Sequence, residues 1–317
     1  MRVQLARLAL FSRRDQDRQV RDGVATDGPA ETAARKNRRN LLKCLETGSG
    51  FARRPTRSSR LRFLTSIVSL AALINLAAAA PASADRPVTF VSAAGEPLQG
   101  YLTKPKGAGP FPAVVLLHSC LGLPSNRRGI QSALAGAGFV ALFVDEFSAR
   151  GLTETCTVDF PQLGADAFGA LAFLAAQPQV DPRRVAVVGF SQGGDGALAA
   201  AASPAGAAYG PPGGFSFRAA AAFYPPCANQ AHERLSIPTL IVVGEADEVT
   251  PASDCRRLAE GQPLVRLSVY PGAAHCFDDP AFAGGKRVLG MTLRYDPGAA
   301  QRGMAELIAF LHASLAR

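Results

Sequence analysis

Three residues of this sequence, a serine, a histidine and an aspartate, have the types, order and spacing of a nucleophilic catalytic triad. Residues 189–193 read GFSQG, which fits G-x-S-x-G, and they lie between the apolar run VAVV and the small-residue run GGDGALAAAA. A strand-to-helix turn at this point lifts the serine Oγ above the sheet edge, and the helix start directs free N–H groups at developing negative charge. This context favours Ser191 as a nucleophile over a structural serine in a glycine-rich loop.

The general base of such a triad should follow the nucleophile along the chain, beyond the last strand of the sheet. His275 lies five residues after the apolar run VRLSVY and satisfies both conditions. The other three histidines precede the serine, lie in a polar loop or fall on a C-terminal helix; they are His118, His232 and His312. His275 is therefore the predicted base.

The acid of the triad should lie between the serine and the histidine, at the carboxyl end of a strand. Asp247 follows the run TLIVVG by three residues. A carboxylate there can accept a hydrogen bond from imidazole Nδ1–H and hold the productive tautomer. Asp247 is the predicted acid, and Glu245, the first residue after the same run, is its chief rival.

An oxyanion hole needs two backbone N–H donors, one from the residue after the nucleophile and one from the loop after an earlier strand. Gln192 holds the first position, and Cys120, two residues after the run AVVLLH, holds the second. Cys120 would act through its amide N–H rather than through its sulfur. A structural disulfide is the other interpretation of Cys120, and the two are compatible.

The elements that must position these residues follow from alternating apolar and helical stretches. After a hairpin pattern around Gly95, continuous apolar runs typical of strands buried on both faces alternate with helix patterns, which indicates a mostly parallel sheet with helices on both faces. The strand runs are 113–118, 139–144, 185–190, 219–224, 239–244 and 265–270, and the helix patterns are 127–137, 162–177, 192–203, 251–260 and 298–316. Residues 203–216, rich in Gly and Pro, predict a surface loop.

The charge of the chain is concentrated at one end. The 317 residues carry a formal charge of +9, which by itself would suggest a nucleic-acid or membrane partner. Residues 1–84 contain 16 Lys and Arg against 6 Asp and Glu, whereas the rest contains 18 against 19. Because residues 85–317 are nearly neutral, they offer no excess of positive charge to bind a phosphate backbone, which argues against nucleic acid as a partner.

The leader has the pattern of a secretory signal. Residues 1–50 are Arg-rich and weakly apolar, which predicts disorder. The basic stretch Arg53–Arg62 precedes the apolar run Phe63–Ala80, and Ala82-Ser83-Ala84 then supplies small residues for signal peptidase. We predict cleavage after Ala84, a catalytic domain over 85–317, and a periplasmic or secreted location with no stable membrane anchor. A retained anchor is the alternative, because the apolar run approaches the length that spans hydrocarbon.

Five cysteines fall in the predicted mature domain, where export would allow disulfides to persist. Cys120 and Cys156 follow consecutive strands, and so do Cys227 and Cys255. Because the expected fold makes such strands neighbours, the pairs 120–156 and 227–255 are geometrically compatible with disulfides. Cys276 would remain free beside the predicted base.

Six stretches of the sequence together resemble the dienelactone hydrolase family, in the branch of exported proteins with a Ser nucleophile. The resemblance covers residues 87–316 and rests on LLHSCLGL, VDEFSARGL, VDPRRVAVVGFSQGG, AFYPPC, VVGEADEVTPASDC and YPGAAHCFD. It implies an α/β-hydrolase fold. Characterised members use Cys as nucleophile, so the resemblance does not carry their lactone substrate to a chain with Ser191.

The resemblance also bears on substrate charge. Members of the family hold a substrate carboxylate with two arginines, and Arg150 occupies the position of the first, whereas the position of the second is Asp279. The resemblance therefore implies a substrate-binding role for Arg150 by a bidentate contact. A loop-bracing role is the alternative.

The sequence as a whole predicts an exported serine hydrolase that cleaves small carboxylic esters or lactones and needs no cofactor and no metal. Small acyl groups are expected because no lid-sized insertion interrupts the strand-helix alternation. The same triad could serve a peptidase or an acyl-peptide hydrolase. A third interpretation is an inactive hydrolase fold that is used only for binding, but the complete triad argues against this one. The His and Cys residues are too scattered for a zinc site, and no glycine-rich phosphate loop follows a strand.

Overall fold

The computed structural model describes residues 85–160, 162–202 and 214–316. The predicted leader and signal peptide, with the cleavage site after Ala84, lie outside the described residues, and so does most of the predicted loop 203–216. Within the described part of the chain, no helix is both long enough and apolar enough to cross a membrane.

An eight-stranded sheet forms the centre of the described fold. Its strands are β1 (Arg86–Val91), β2 (Pro97–Thr103), β3 (Phe111–Leu117), β4 (Val140–Asp145), β5 (Val180–Phe190), β6 (Ala219–Phe223), β7 (Thr239–Gly244) and β8 (Val265–Tyr270). Their order across the sheet is β1-β2-β4-β3-β5-β6-β7-β8. β1 and β2 form the predicted hairpin, β2 pairs antiparallel with β4, and the remaining neighbours are parallel. The predicted mostly parallel sheet is confirmed.

The central strands are buried on both faces because their sequences are continuous apolar runs. Every residue of β4, β6 and β7 is buried. For β8 the prediction of burial on both faces is wrong, since β8 lies at the edge of the sheet and only Tyr270 of its six residues is buried. Arg266 and Ser268 interrupt its apolar run, and both contact the carboxylate of Glu306.

Five α-helices of the described chain pack against the sheet. They are α1 (Arg127–Gly136), α2 (Leu163–Ala175), α3 (Gln192–Ala202), α4 (Ala252–Ala259) and α5 (Pro297–Ser314). Each agrees with a predicted helix to within two residues at either end. Right-handed crossovers place α1 on the face opposite α2, α3 and α4. α5 packs beside the start of β4, where the ring of His312 lies 4.9 Å from that of Phe139.

A short hairpin that the sequence did not predict follows the candidate base. β9 (Lys286–Val288) and β10 (Met291–Leu293) pair antiparallel. The N–H of Arg294, just after β10, donates to the carbonyl of His275 at 3.1 Å. Strands of three residues are too short to produce a detectable alternation of apolar and polar residues. The hairpin brings Met291 to the edge of the sheet where Ser191 lies.

Candidate active site

Ser191 lies on the sharp turn between β5 and α3. Its φ of 53° is in the left-handed region, which is costly for a residue with a side chain and persists only where the surroundings maintain it. The N–H of Ser191 donates to the carbonyl of Phe223 on β6 at 2.9 Å. A Cβ on Gly189 would lie 1.9 Å from the carbonyl oxygen of Gly193, and one on Gly193 would lie 2.4 Å from the carbonyl oxygen of His118. Steric room therefore explains both glycines of the motif.

A chain of hydrogen bonds joins the predicted nucleophile, base and acid. The Oγ of Ser191 lies 2.9 Å from Nε2 of His275, and Nδ1 of His275 lies 2.8 Å from Oδ2 of Asp247. All three residues are buried, with Ser191 the most exposed at 8%. Because the carboxylate accepts from Nδ1–H, Nε2 is left to accept from the serine hydroxyl. The structure thus brings together the three residues in the order expected from the sequence.

Hydrogen-bond donors from the same turn hold Asp247 in place. Its Oδ1 accepts from two backbone N–H groups, both at 2.9 Å, and its Oδ2 accepts from the Thr250 hydroxyl at 3.0 Å as well as from His275. The carboxylate is therefore oriented toward the imidazole without any substrate. Glu245, the rival acid, is instead half-exposed and pairs with Arg256 at 2.7 Å on the surface.

Two residues that the sequence analysis did not single out also hold the imidazole. The Oγ1 of Thr250 lies 3.2 Å from Nδ1 of His275 and 3.0 Å from the carbonyl oxygen of Tyr224. The ring of Tyr224 packs edge-on against that of His275, with 4.7 Å between ring centres. The Tyr224 hydroxyl donates to Asp278 at 2.5 Å, and burial raises the pKa of Tyr224 well above its ordinary value. Their positions just after β6 and β7 were the available sequence signal.

The two predicted oxyanion donors lie beside the nucleophile. Gln192 is the first residue of α3, so its N–H has no acceptor within the helix. The N–H of Cys120 donates to no atom of the described chain. Both residues line a groove of about 610 Å³ together with Ser191. Two free amides at such a place can stabilise the oxygen of a tetrahedral intermediate.

Both predicted disulfides are present in the structure. Cys120 is bonded to Cys156, and Cys227 is bonded to Cys255. Cys120 therefore combines the disulfide with its place beside the nucleophile, as the sequence allowed. Cys276 is the free cysteine of the described residues and is buried. Burial raises the pKa of its thiol well above the ordinary value, so it is protonated at neutral pH.

Arg150 points into the protein rather than into the groove. Its Nε and Nη2 donate to Glu96, Nη1 and Nη2 donate to Asp166, and Nη1 also donates to the carbonyl of Glu146. These bonds use all five N–H donors of the guanidinium. Asp166 is fully buried, and Arg150 itself is only 14% exposed. The geometry favours the loop-bracing alternative, and Arg150 is not among the residues that line the groove.

A buried His–Glu pair supports the loop that carries Cys120. Nδ1 of His118 donates to the carbonyl of Ser119 at 2.7 Å, and Nε2 accepts from the N–H of Glu146 at 3.2 Å. Burial lowers the pKa of His118 to about 4, so the ring is neutral at physiological pH. Burial also raises the pKa of the Glu146 carboxyl well above its ordinary value, and neither of its oxygens has a hydrogen-bond partner within the described chain. His118 thus has a structural role here.

The charged side chains around the nucleophile are carboxylates. Asp159 and Asp195 line the groove, and Asp279 lines a separate cavity of about 260 Å³ together with Phe190 and Cys276. No Lys or Arg of the described chain lines either space. Asp279 binds the N–H of Ser125 at 3.2 Å and also its hydroxyl, so the loop after β3 is tied to the loop of the base. The apolar side chains of Val158 and Met291 complete the groove.

Comparisons with known proteins identify relatives of this arrangement. Residues 98–315 match the model of the dienelactone hydrolase family. A protein of Bradyrhizobium with the provisional name "2-oxo-3-(5-oxofuran-2-ylidene)propanoate lactonase" is 28% identical over 203 residues, which cover 58% of this chain and 81% of the relative. A Mycobacterium tuberculosis protein with the provisional name "phosphoribosyl transferase" is 31% identical over 212 residues, 64% of this chain. The match spans only 44% of that relative's length.

Solved structures show the same architecture. A dienelactone hydrolase from Anabaena variabilis superposes with a TM-score of 0.55 at 22% identity, over 73% of this chain and 98% of its own. A dienelactone-hydrolase-like promiscuous phosphotriesterase from metagenomic libraries superposes with a TM-score of 0.58 at 21% identity, over 74% of this chain and 99% of its own. The predicted α/β-hydrolase fold is confirmed.

Proposed function

Because the chain belongs to the dienelactone hydrolase family, we propose that it is a serine hydrolase that cleaves small, uncharged carboxylic esters or lactones through an acyl-enzyme. One observation carries the proposal above all others, namely the hydrogen-bonded series from the Oγ of Ser191 through His275 to Asp247. The name of the Bradyrhizobium relative, a lactonase, is consistent with this chemistry.

In the first half-reaction, Ser191 attacks the carbonyl carbon of the ester. Nε2 of His275 takes the hydroxyl proton as the Oγ–C bond forms, and Asp247 stabilises the imidazolium that results. The amides of Cys120 and Gln192 donate to the oxyanion. The imidazolium then protonates the leaving alkoxide as the C–O bond breaks, which leaves the acyl group on Ser191 and a neutral imidazole.

In the second half-reaction, water takes the place of the alcohol. His275 removes a proton from the water as it attacks the acyl carbon, and the same two amides hold the second oxyanion. The returning proton goes to the Oγ of Ser191 as the acid product leaves. Apart from the ester and water, the residues of the chain supply every group that these two half-reactions use. With a lactone, the leaving oxygen stays attached to the acyl chain as a hydroxyl after the imidazolium has protonated it, and it departs with the acid product in this step.

The charge of the site supports uncharged substrates. A substrate carboxylate would need a cation, but all donors of Arg150 are used by Glu96, Asp166 and a carbonyl. The other position at which the family places an arginine holds Asp279, which lines a cavity together with Phe190 and Cys276, the chain neighbours of Ser191 and His275. A carboxylate on the substrate would meet repulsion there, since like charges at short range are mutually unfavourable.

The surroundings of the groove support small acyl groups. The groove that contains Ser191 has a volume of about 610 Å³, within the range of about 300–1,000 Å³ typical of ligand pockets. Among the described residues, no inserted domain covers the groove, and its sides are formed by the loop 146–160 and the β9–β10 hairpin. A long acyl chain would find no enclosed channel within this part of the protein.

A panel of matched substrates tests the function. Purified protein is assayed with p-nitrophenyl acetate, butyrate, octanoate and laurate, with a p-nitrophenyl ester that carries a free carboxylate, and with peptide p-nitroanilides. We expect the highest kcat/KM for acetate or butyrate and the lowest for the charged ester and the anilides. Faster cleavage of the anilides would establish a peptidase instead, and faster cleavage of laurate would refute the small-acyl claim. Ser191→Ala serves as the control for catalysis that does not depend on the triad.

Export is part of the same proposal. The motivation is the apolar run Phe63–Ala80 followed by Ala82-Ser83-Ala84, a pattern typical of a cleaved secretory signal. The two disulfides are also of the kind that persists in an oxidising compartment. N-terminal sequencing of the protein recovered from the cell envelope should begin at Asp85. Recovery of the intact leader in the membrane fraction would contradict cleavage.

A further inference from the structure

One buried side chain bridges the two elements that carry the proposed oxyanion donors. Cys120 lies on the loop after β3, and Gln192 begins α3, so the two amides belong to different parts of the chain. Thr155 lies on a third segment, the loop after β4, and contacts both. It is 1% exposed and lines the groove together with Ser191.

Thr155 makes one hydrogen bond to each side. Its N–H donates to the carbonyl of Cys120 at 2.8 Å, and its hydroxyl donates to Oε1 of Gln192 at 2.7 Å. The next residue, Cys156, forms the disulfide to Cys120. The loop after β3 is thus attached to this segment by a backbone hydrogen bond and a covalent bond, whereas α3 is attached to it through the Thr155 hydroxyl.

Stabilisation of the oxyanion depends on the relative position of the Cys120 and Gln192 amides more than on either of these attachments alone. An oxyanion hole stabilises the transition state only when both N–H groups are directed at the position that the oxyanion will occupy, and removal of one donor costs about 10²–10³ in kcat. Supporting hydrogen bonds keep such groups within about 0.5 Å of the productive geometry. A backbone hydrogen bond from the N–H of Gly193 to the carbonyl of His118 at 3.1 Å already joins the helix start to the end of β3. The Thr155 hydroxyl adds a side-chain bond that couples Gln192 to the segment attached to Cys120.

We infer that Thr155 is a positioning residue that sets the oxyanion hole by coupling Gln192 to the loop of Cys120. The inference rests on the proposed function, because it assigns a role in the same half-reactions. Thr155 does not touch the reacting atoms, and its effect passes through Gln192. It therefore acts on the transition state and leaves ground-state binding of the ester almost unchanged.

Five variants of the full chain isolate the role of the hydroxyl. Thr155→Val removes the donor to Gln192 and keeps both the branched shape and the backbone N–H, while Thr155→Ser keeps the donor. Thr157→Val is the matched control, because the Thr157 hydroxyl belongs to the same loop but donates only to the exposed carboxylate of Glu154. Gln192→Ala removes the acceptor, and Thr155→Val is also made in that background.

Two readouts separate positioning from general loosening of the fold. Steady-state kinetics with p-nitrophenyl butyrate give kcat and KM separately. Affinity for an alkyl boronic acid, whose tetrahedral adduct on Ser191 presents an oxygen to the two amides, reports the oxyanion hole directly. We expect Thr155→Val to lower kcat and boronate affinity by about tenfold each, with KM changed less than about twofold, since loosening a donor costs less than removing one. Thr155→Ser and Thr157→Val should match the wild type.

Each outcome is informative. A Thr155→Val variant with wild-type kcat and boronate affinity, in a wild type that cleaves esters, would overturn the positioning role and leave the proposed function intact. A further loss from Thr155→Val in the Gln192→Ala background would overturn the route through Gln192. A wild type that cleaves no ester of the panel and binds no boronate would refute the proposed function, and the inference with it.

Discussion

Substitution of Asp247 by Asn tests the acid of the triad while preserving its shape. In the native protein, Oδ1 of Asp247 accepts from two backbone N–H groups at 2.9 Å, and Oδ2 accepts from Nδ1–H of His275 at 2.8 Å. An asparagine has one oxygen and one NH₂ group, and the two backbone donors will retain the oxygen on their side. The NH₂ group is therefore left facing His275.

This orientation determines the size of the effect. An NH₂ donor opposite Nδ1 forces the imidazole into the tautomer that carries its proton on Nε2, so Nε2 no longer accepts the proton of Ser191. In a comparable triad, this substitution lowers kcat by about 10⁴ with the geometry intact. Such a factor corresponds to about 5.4 kcal/mol of activation free energy at 1.36 kcal/mol per tenfold change. The imidazole position itself should not move, because Thr250 and Tyr224 also contact it.

The assay is steady-state cleavage of p-nitrophenyl butyrate by Asp247→Asn and by Glu245→Gln, with thermal unfolding as a check on the fold. Glu245→Gln is the matched control, since Glu245 forms only a surface pair with Arg256 and such pairs contribute little. We expect a loss of about 10⁴ in kcat for the first variant and a change of less than about twofold for the second. Full activity of Asp247→Asn, or a comparable loss for Glu245→Gln, would refute the assignment of the acid.

Three further predictions concern residues outside the triad. Arg150→Ala should lower the free energy of unfolding, measured by urea unfolding, by about 3 kcal/mol, because it leaves the buried Asp166 carboxylate without its cationic partner. The ratio of kcat/KM for neutral esters to kcat/KM for carboxylate-bearing esters should stay constant, whereas a changed ratio would support a substrate-binding role for Arg150. NMR titration should show His118 neutral until the pH falls toward about 4. Because its pKa is lower in the folded protein, the contribution of His118 to stability is complete above pH 6.5 and is lost as the pH decreases. A titration near 6.5 would disprove its burial. Peptide mapping without reductant should find Cys276 unpaired, and a disulfide to Cys276 would contradict the pairing.

The sheet and helices could be predicted from the sequence because burial on both faces demands apolar residues at every position. The run TLIVVG therefore locates β7 to the residue. The run VAVV locates the end of β5, but the strand begins at Val180, five residues before the predicted start. β8 was wrongly assigned as a strand buried on both faces. A strand at the edge of a sheet needs fewer apolar residues, and Arg266 and Ser268, which interrupt its apolar run, were the signal of an edge strand. The β9–β10 hairpin escaped prediction because each strand has three residues.

The proximity of Ser191, His275 and Asp247 could be predicted because they follow strand ends in a fixed order, whereas the residues that hold them in place could not. Thr250 contacts His275, and Thr155 contacts Gln192, across 25 and 37 positions of the chain, and no local pattern marks such partners. Arg150 also shows that contacts between distant parts of the chain cannot be predicted from a local pattern. The resemblance indicated its position in the chain, but its partner Glu96 lies 54 positions away, so its orientation depended on contacts that only the fold reveals.

The most direct test of the central claim is to locate the covalent adduct that a fluorophosphonate leaves on the protein. Intact mass spectrometry should show one added group, and peptide mapping should place it on Ser191, since only a serine with an adjacent base is activated for such attack. Ser191→Ala should take up no label and lose about 10⁶ in kcat for p-nitrophenyl butyrate, as in a comparable triad. An adduct on another residue, or ester cleavage by Ser191→Ala at the wild-type rate, would contradict the account.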